Sequence, residues 1–389
     1  MLYVGIDAAK DKHDCHIFDS EGEVLCDNST FANSKEGFQK LLELIKKFGK
    51  ARGKTKVGLE STGHYSHNLL AFLEANDFEV VVFNPLSVNQ SRKAGSLRKT
   101  KTDKNDARYI ASLLVPDSSK PYQQQSYHIQ ELKSLTRARY RLVKEIQPVK
   151  NRYRRLIHIL FPEIQRFFCK IDLPAVLGLL KELPSALDIA SCNILTLTRI
   201  LSQNSRGRFK RDKAEKLKSL AQNSIATYNR GDALELKLIV QRIEFMNAQK
   251  SELENEIKSI MLKLNSPITS IPGIGDILGA VILSEIGDRS FDTPAKLLAF
   301  AGCEPSSYQS GNYTATRTPM VKHGSKFLRN ALFLATKAAR LHSPSFTAYL
   351  ARKKSQGKHE YVAISHGMKK MIRVIFSVLK SNTPYIEPI

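Results

Sequence analysis

Along the first third of the chain, apolar positions alternate with polar ones or run through short β-branched stretches; beyond it they recur every three to four residues. LYVGID over 2–7 reads as a strand, CHIFD over 15–19 and EVLCDN over 23–28 as the next two, and SKEGFQKLLELIKKFG over 34–49 as an amphipathic helix. KVGLEST over 56–62 predicts a fourth strand, HNLLAFLEAND over 67–77 a helix, and FEVVVFNP over 78–85 a fifth strand before a basic loop. A further helix begins in KTDKNDARYIASLL.

The order βββαβαβα over residues 1 to about 115 is that of a ribonuclease H-like fold. A flavodoxin-like or dinucleotide-binding domain needs βαβ from its first strand and a Gly-rich turn after it, whereas Ala8, Ala9 and Lys10 stand there. From Gln130 to about Phe161 runs a basic helical stretch that Pro148 is expected to kink or split. A second long helix carries Leu236, Ile239, Ile243, Met246, Leu253, Ile257 and Ile260 at three-, four- and seven-residue steps. The two are expected to pair as an antiparallel coiled coil, with 162–230 a smaller helical insert between them. The expected organisation is thus α/β plus all-α. Residues 1–125 form a ribonuclease H-like, resolvase-like domain, 126–265 a basic coiled-coil region with its insert, and 266–389 a mostly helical C-terminal domain with a helix-hairpin-helix.

Charge narrows the partner. The 389 residues hold 60 Lys and Arg against 37 Asp and Glu, a formal charge of +23, which favours a polyanion and nucleic acid first. Cys15, Cys26, Cys169, Cys192 and Cys303 include no Cys-x-x-Cys pair, so neither a zinc ribbon nor a disulfide framework is written, and a reducing cytoplasm is expected. No basic leader precedes an apolar stretch, and no uncharged apolar run approaches the ~20 residues needed to span a bilayer, so no membrane role is expected.

Four carboxylates stand where chemistry can use them. Asp7 ends the first strand, Glu60 ends the fourth, and Asp103 and Asp106, three apart, share one helical face. Clustered carboxylates repel unless cations neutralise them, and Mg²⁺ is the hard, oxygen-seeking cation suited to phosphoryl transfer. Arg92, Lys93, Arg98, Lys99 and Lys101 lead into the carboxylate pair and would draw a phosphate backbone to it. Arg137, Arg139, Arg141, Lys150, Arg152, Arg154 and Arg155 line the following helix, with Tyr140 and Tyr153 interleaved as stacking partners. In the insert, RGRFKRDKAEKLK over 206–218 has a solvated charged face as its commoner explanation, nucleic-acid contact being the alternative.

IPGIG over 271–275 reads as a hairpin turn in which Gly273 and Gly275 expose backbone N–H groups to a phosphate. Downstream, Ser306, Ser307, Ser310, Tyr308 and Tyr313 lie in a polar loop before Arg317, Lys322 and Arg329; the residues alone do not single out a nucleophile among them. His13 with His16 and His64 with His67 are three apart, with no third ligand at a zinc-like spacing.

Together, GIDAAK, GLESTGHY, KTDKNDARYIA, IPGIG, AGCEPSSYQSG and KHGSKFLR resemble one family: insertion-sequence transposases with an N-terminal Holliday-resolvase-like DEDD domain and a C-terminal transposase domain, known as bridge-RNA-guided serine recombinases. The resemblance covers roughly residues 2–115 and 266–380. It implies that Asp7, Glu60, Asp103 and Asp106 are the metal-binding acids and Ser310 the nucleophile. It further implies Mg²⁺-dependent cleavage and rejoining of donor and target DNA through a 5′-phosphoserine, a noncoding guide RNA, and a homo-oligomer, dimer or tetramer, with composite active sites. The alternatives are a junction-resolvase-like endonuclease that activates water and a non-catalytic nucleic-acid scaffold.

Overall fold

The alternation over residues 2–83 becomes one sheet of five strands, β1 (Leu2–Ala8), β2 (Lys12–Asp19), β3 (Val24–Ala32), β4 (Thr55–Glu60) and β5 (Glu79–Phe83), in the order β3-β2-β1-β4-β5. β1 pairs antiparallel with β2 and parallel with β4; β2 and β3 are antiparallel, β4 and β5 parallel. This mixed sheet with its helices is consistent with the ribonuclease H-like expectation.

The computed structural model describes residues 1–49, 54–60, 65–83, 85, 88–89, 103–115, 127–306, 309–310, 313–314 and 319–388. Contacts divide the chain into two compact units, Met1–Gln124 and Gln125–Ile389.

In the first unit, the period of two sends Leu2, Val4, Ile6, Val57, Leu59 and Val80 to one face, where Phe38, Leu41 and Ile45 of α1 (Lys35–Gly49) and Leu69 and Leu73 of α2 (His67–Ala75) cover them. Each fully buried aliphatic side chain contributes roughly 1.5–3 kcal/mol. The opposite face carries Tyr3, Gly5, Val81 and Phe83, with Tyr3, Val81 and Leu114 forming a smaller core. Helix α3 (Asp103–Ser112) crosses this face at a glycine pair: Gly5 and Gly58 are partners in the β1–β4 register. A Cβ on Gly5 would stand 2.2 Å from the Ala107 carbonyl oxygen and 2.3 Å from the Ala111 nitrogen, so only glycine admits the helix this close.

The second unit is helical around two cores. α4 (Tyr127–Leu160) and α10 (Arg230–Leu264) run antiparallel: Ile146 to Leu160 of α4 join Ala233 to Met246 of α10 in one core, while Leu132 joins Ile257, Ile260 and Met261 in the other. Because the same two helices serve both cores, contacts do not separate the region where sequence pattern draws a boundary. Pro148 does not split α4. It removes one backbone hydrogen bond, and the neighbouring Ile146 and Val149, buried in the first core, hold the helix through that position.

The insert forms α5 (Ile164–Phe167), α6 (Pro174–Glu182), α7 (Ala186–Ser191), α8 (Ile194–Asn204) and α9 (Arg211–Gln222), packed on the α4–α10 pair through the first core. After α10, Asn265 in the left-handed region ends the helix, and a 3₁₀ turn (Pro267–Ser270) leads to α11 (Asp276–Ile286) and α12 (Pro294–Phe300). Two short strands, β6 (Gln309–Ser310) and β7 (Tyr313–Thr314), precede α13 (Lys326–His342), α14 (Pro344–Ser355) and α15 (Glu360–Ser381). Among the described residues no helix is long and apolar enough to cross a membrane.

Candidate active site and nucleic-acid interface

Parallel pairing brings Asp7 and Glu60 together. The β1–β4 register runs to Ile6 with Leu59, so the two acids follow its last pair on neighbouring strands, and neighbouring strands lie about 4.8 Å apart in a sheet. Both share a face with the glycine pair, the face that α3 covers, and both are half-buried. Asp106, 6 % exposed, immediately precedes Ala107, whose carbonyl oxygen meets Gly5. Three of the four expected acids are therefore carried by elements converging on one sheet face. Asp103 begins α3, one turn before Asp106, and its side chain lies outside the described residues.

A fifth acid was missed by sequence reasoning. Asp14 is the direct antiparallel partner of Asp7, is 5 % exposed, and accepts a 2.6 Å hydrogen bond from the Thr30 hydroxyl. Its only advance signal was its place in the hairpin, which needs the β1–β2 register to be known. The all-oxygen donor set suits a hard divalent cation. Among the described residues, no three candidate ligands are gathered closely enough to hold one.

The histidine pair on β2 separates. His13 is fully buried beside Phe31 and Phe38, with ring centroids 5.1 and 5.9 Å away, and burial lowers its pKa below the usual imidazole value. His16, on the opposite face, donates from Nδ1 to the Asp27 carbonyl at 2.8 Å.

On α4 the cations sort into two sets. Arg137 makes a two-pronged contact, Nε and Nη2 at 2.8 and 3.0 Å, with Glu285 of α11, which is 3 % exposed and also accepts from Ser325 Oγ, the N-cap of α13, at 2.8 Å. Burial alone would raise the Glu285 pKa; the hydrogen bonds from Arg137 and Ser325 and the charges of Arg137 and Lys133 outweigh it and hold the carboxyl below its ordinary value. Arg139 meets Glu254 at 2.6 Å, Lys150 meets Asp172 at 2.7 Å, and Arg155 approaches Glu235 at 3.7 Å. Arg141 and Arg152 are exposed with no carboxylate partner among the described residues, while Arg154 donates to Asn151 at 3.1 Å and its charge also acts on Asp172.

The aromatic expectation on this helix is corrected. Tyr153 is 1 % exposed and its hydroxyl donates to the Ile171 carbonyl at 2.6 Å, because the helical period turns it into the first core; it cannot stack on a base. Tyr140 packs edge-on against Phe327 at 5.0 Å.

At the hairpin turn the two glycines differ. Gly273, with φ 85°, lies against α13, where a Cβ would stand 2.4 Å from the Ala339 nitrogen. Gly275 caps α11 with open space around it, so it is the glycine at the helix N-terminus that a phosphate can approach. Ser310 is not in an open loop: it ends β6 opposite Tyr313 of β7, and Pro305 pairs with Met320 at the base of the same arm. The side chains of both Ser310 and Tyr313 lie outside the described residues. Lys322 is exposed with φ 61°, and Arg329 donates to the Ala301 and Gly324 carbonyls. Arg92, Lys93, Arg98, Lys99, Lys101, Ser307, Tyr308 and Arg317 lie outside the described residues.

Two family models match the chain. A DEDD model of the IS110 kind, described as "Transposase", matches residues 4–162, and one described as "Transposase IS116/IS110/IS902 family" matches residues 265–351. The mini-circle transposase candidate of IS117 from Streptomyces coelicolor is 26 % identical over 402 residues, covering 99 % of this chain and 95 % of that protein. The pilin gene-inverting protein of Moraxella bovis is 24 % identical, covering 98 % of this chain and 97 % of its own length. The 44.8 kDa protein of insertion element IS116 from Streptomyces clavuligerus is 24 % identical, covering 97 % and 94 %.

Proposed function

We propose that the chain is a DNA-cleaving and DNA-rejoining transposase of the IS110/IS116 kind that works through a covalent serine intermediate formed by Ser310. The DEDD transposase domain implies a divalent metal, and we assign it as Mg²⁺ held by Asp7, Glu60, Asp103 and Asp106. When bound, the metal supplies positive charge to the phosphate oxygens during displacement. The observation that carries this reading is the convergence of β1, β4 and α3, which puts Asp7, Glu60 and Asp106 on one face.

The step balances without a co-reactant. Ser310 Oγ bonds to phosphorus and gives its proton to a base, the bond from phosphorus to the 3′ oxygen breaks, and the 3′ oxygen takes up a proton. The 5′-phosphoserine keeps the energy of the phosphodiester, so a new 3′ hydroxyl can reverse the step without ATP. Gene inversion, named for the Moraxella relatives, requires rejoining as well as cutting, which favours this reading over a nuclease that activates water. Gly275, Lys322, Arg329 and the unpaired cations of α4 are proposed to hold the DNA backbone. A noncoding guide RNA pairing with donor and target DNA, and a homo-oligomer with composite sites, complete the proposal.

Ser310→Ala is expected to abolish both strand cleavage and the protein–DNA adduct on denaturing gels, while Tyr308→Phe and Tyr313→Phe keep the adduct. Asp7→Asn should stop cleavage and spare RNA binding. If Ser310→Ala cuts DNA at a near wild-type rate, the serine reading fails and the water-activating nuclease replaces it.

A further inference from the structure

The helical insert presents a second basic surface, distinct in construction from α4. Arg206, Arg208 and Lys210 lie in the turn between α8 and α9, all exposed, and no carboxylate among the described residues pairs with any of them. Nearby acids are spoken for or set apart: Glu215 is held by Arg211 at 2.8 Å, and Asp212 sits in the first turn of α9, where it answers the helix dipole.

The turn is pinned. The Gly207 nitrogen donates to the Ser202 carbonyl at 2.8 Å, the Phe209 nitrogen to Ser205 Oγ at 2.8 Å, and the Arg208 nitrogen to the Ser205 carbonyl at 3.2 Å. Phe209 packs on Phe168 with centroids 5.6 Å apart, and Lys213 is drawn beneath, 3.8 Å from the centre of the Phe167 ring. Two successive residues, Arg206 at φ 54° and Gly207 at φ 78°, are in the left-handed region. That conformation closes the C-terminal end of α8, the Gly207 nitrogen reaching the Ser202 carbonyl, and so fixes where Arg206 and Arg208 stand. The same aromatic contacts set the Phe167–Phe168 segment beside the turn, and that segment carries exposed Arg166 and Lys170.

We propose that this turn is a docking site for a nucleic-acid phosphate backbone, contacted by Arg206, Arg208 and Lys210. Guanidinium groups pair with phosphate oxygens in a fixed fork, and a turn already held in one conformation loses little further freedom on binding. Duplex DNA and structured RNA present the same phosphodiester chemistry, and the experiment separates them. The site goes beyond the proposed chemistry, since none of its residues belongs to the acid set or the serine arm.

The test uses the full chain carrying Arg206→Ala, Arg208→Ala and Lys210→Ala, titrated with a DNA duplex and, separately, an RNA hairpin over a range of salt. The slope of log K against log salt is expected to fall by about 2–3 on at least one of them, because each lost phosphate contact removes about 0.9 on a duplex. A fall on DNA alone identifies DNA, a fall on RNA alone identifies RNA, and a fall on both identifies the shared backbone. In the wild-type chain, acetylation of Lys210 by acetic anhydride should slow several-fold when the same nucleic acid is bound, a readout independent of how the triple variant folds. Unchanged slopes on both, or equal acetylation with and without nucleic acid, overturn the proposal. Ser310→Ala should retain the wild-type slope, so failure here is distinguishable from failure of the serine chemistry.

Discussion

Helix α4 and the turn between α8 and α9 are both basic, yet four of the helix's cations are held in ion pairs and those of the turn are not. On α4, Arg137, Arg139, Lys150 and Arg155 point at carboxylates contributed by α11, by α10 and by the segment around Asp172. On the turn, Arg206, Arg208 and Lys210 have no such partner among the described residues. A charge inside a good ion pair is spent on fixing how helices pack and has little left for a phosphate. A free guanidinium on a pinned turn keeps its field for a ligand. The number of basic residues in a stretch therefore says less about binding than the location of the acids, which can be far away in the chain.

The largest effect is expected at the most buried pair. Glu285→Ala leaves Arg137 and Lys133 facing each other without their shared anion and should destabilise the fold by about 3–5 kcal/mol in urea unfolding. A loss below about 1 kcal/mol would show that the pair is not what docks α11 on α4.

The same carboxylate should show in acid. Its folded pKa is held below the ordinary 4.5, so its stabilisation is complete above that pH and is lost as pH falls through the lower folded value. The Tm gap between wild type and Glu285→Gln should be full near neutrality and narrow once pH drops below 4.5. A gap independent of pH would assign the stabilisation to shape rather than charge.

Within α4 the difference can be sharpened by binding. Neutralising Arg141, Arg152 and Arg154 should lower the salt slope on duplex DNA by about 2–3, one contact accounting for about 0.9. The smallest effect is expected from Lys150→Ala, which removes a partly exposed pair with Asp172: at most about 1 kcal/mol of stability and no change of slope. If Lys150→Ala lowers the slope as a free arginine does, paired and unpaired cations are not the distinction that matters.

Much of the first unit was legible because strand and helix periods differ, and because β-branched runs bounded by polar turns leave few alternatives. Asp7, Glu60 and Asp106 could be placed on strand ends and a helix face for the same reason. Asp14 could not, since its position opposite Asp7 depends on a hairpin register that the pattern of residues does not state. Tyr153 was misjudged among arginines because the neighbouring charges were weighed and the inward side of the helix was not. Glu285 drew no notice in an apolar helix, its partner Arg137 lying 148 residues earlier.

By itself, the order of residues determined the strands, the long helices, the strongly basic balance and the placement of the acids on particular elements. These follow from side-chain periodicity and local backbone preference, which act over a few residues at a time. Tertiary structure decided which cations remain free, that Gly5 lets α3 settle onto the acid-bearing face, and that Pro148 leaves α4 whole. Each of those depends on groups brought together from distant parts of the chain, where electrostatic pairing and close packing act across space and carry no local signature.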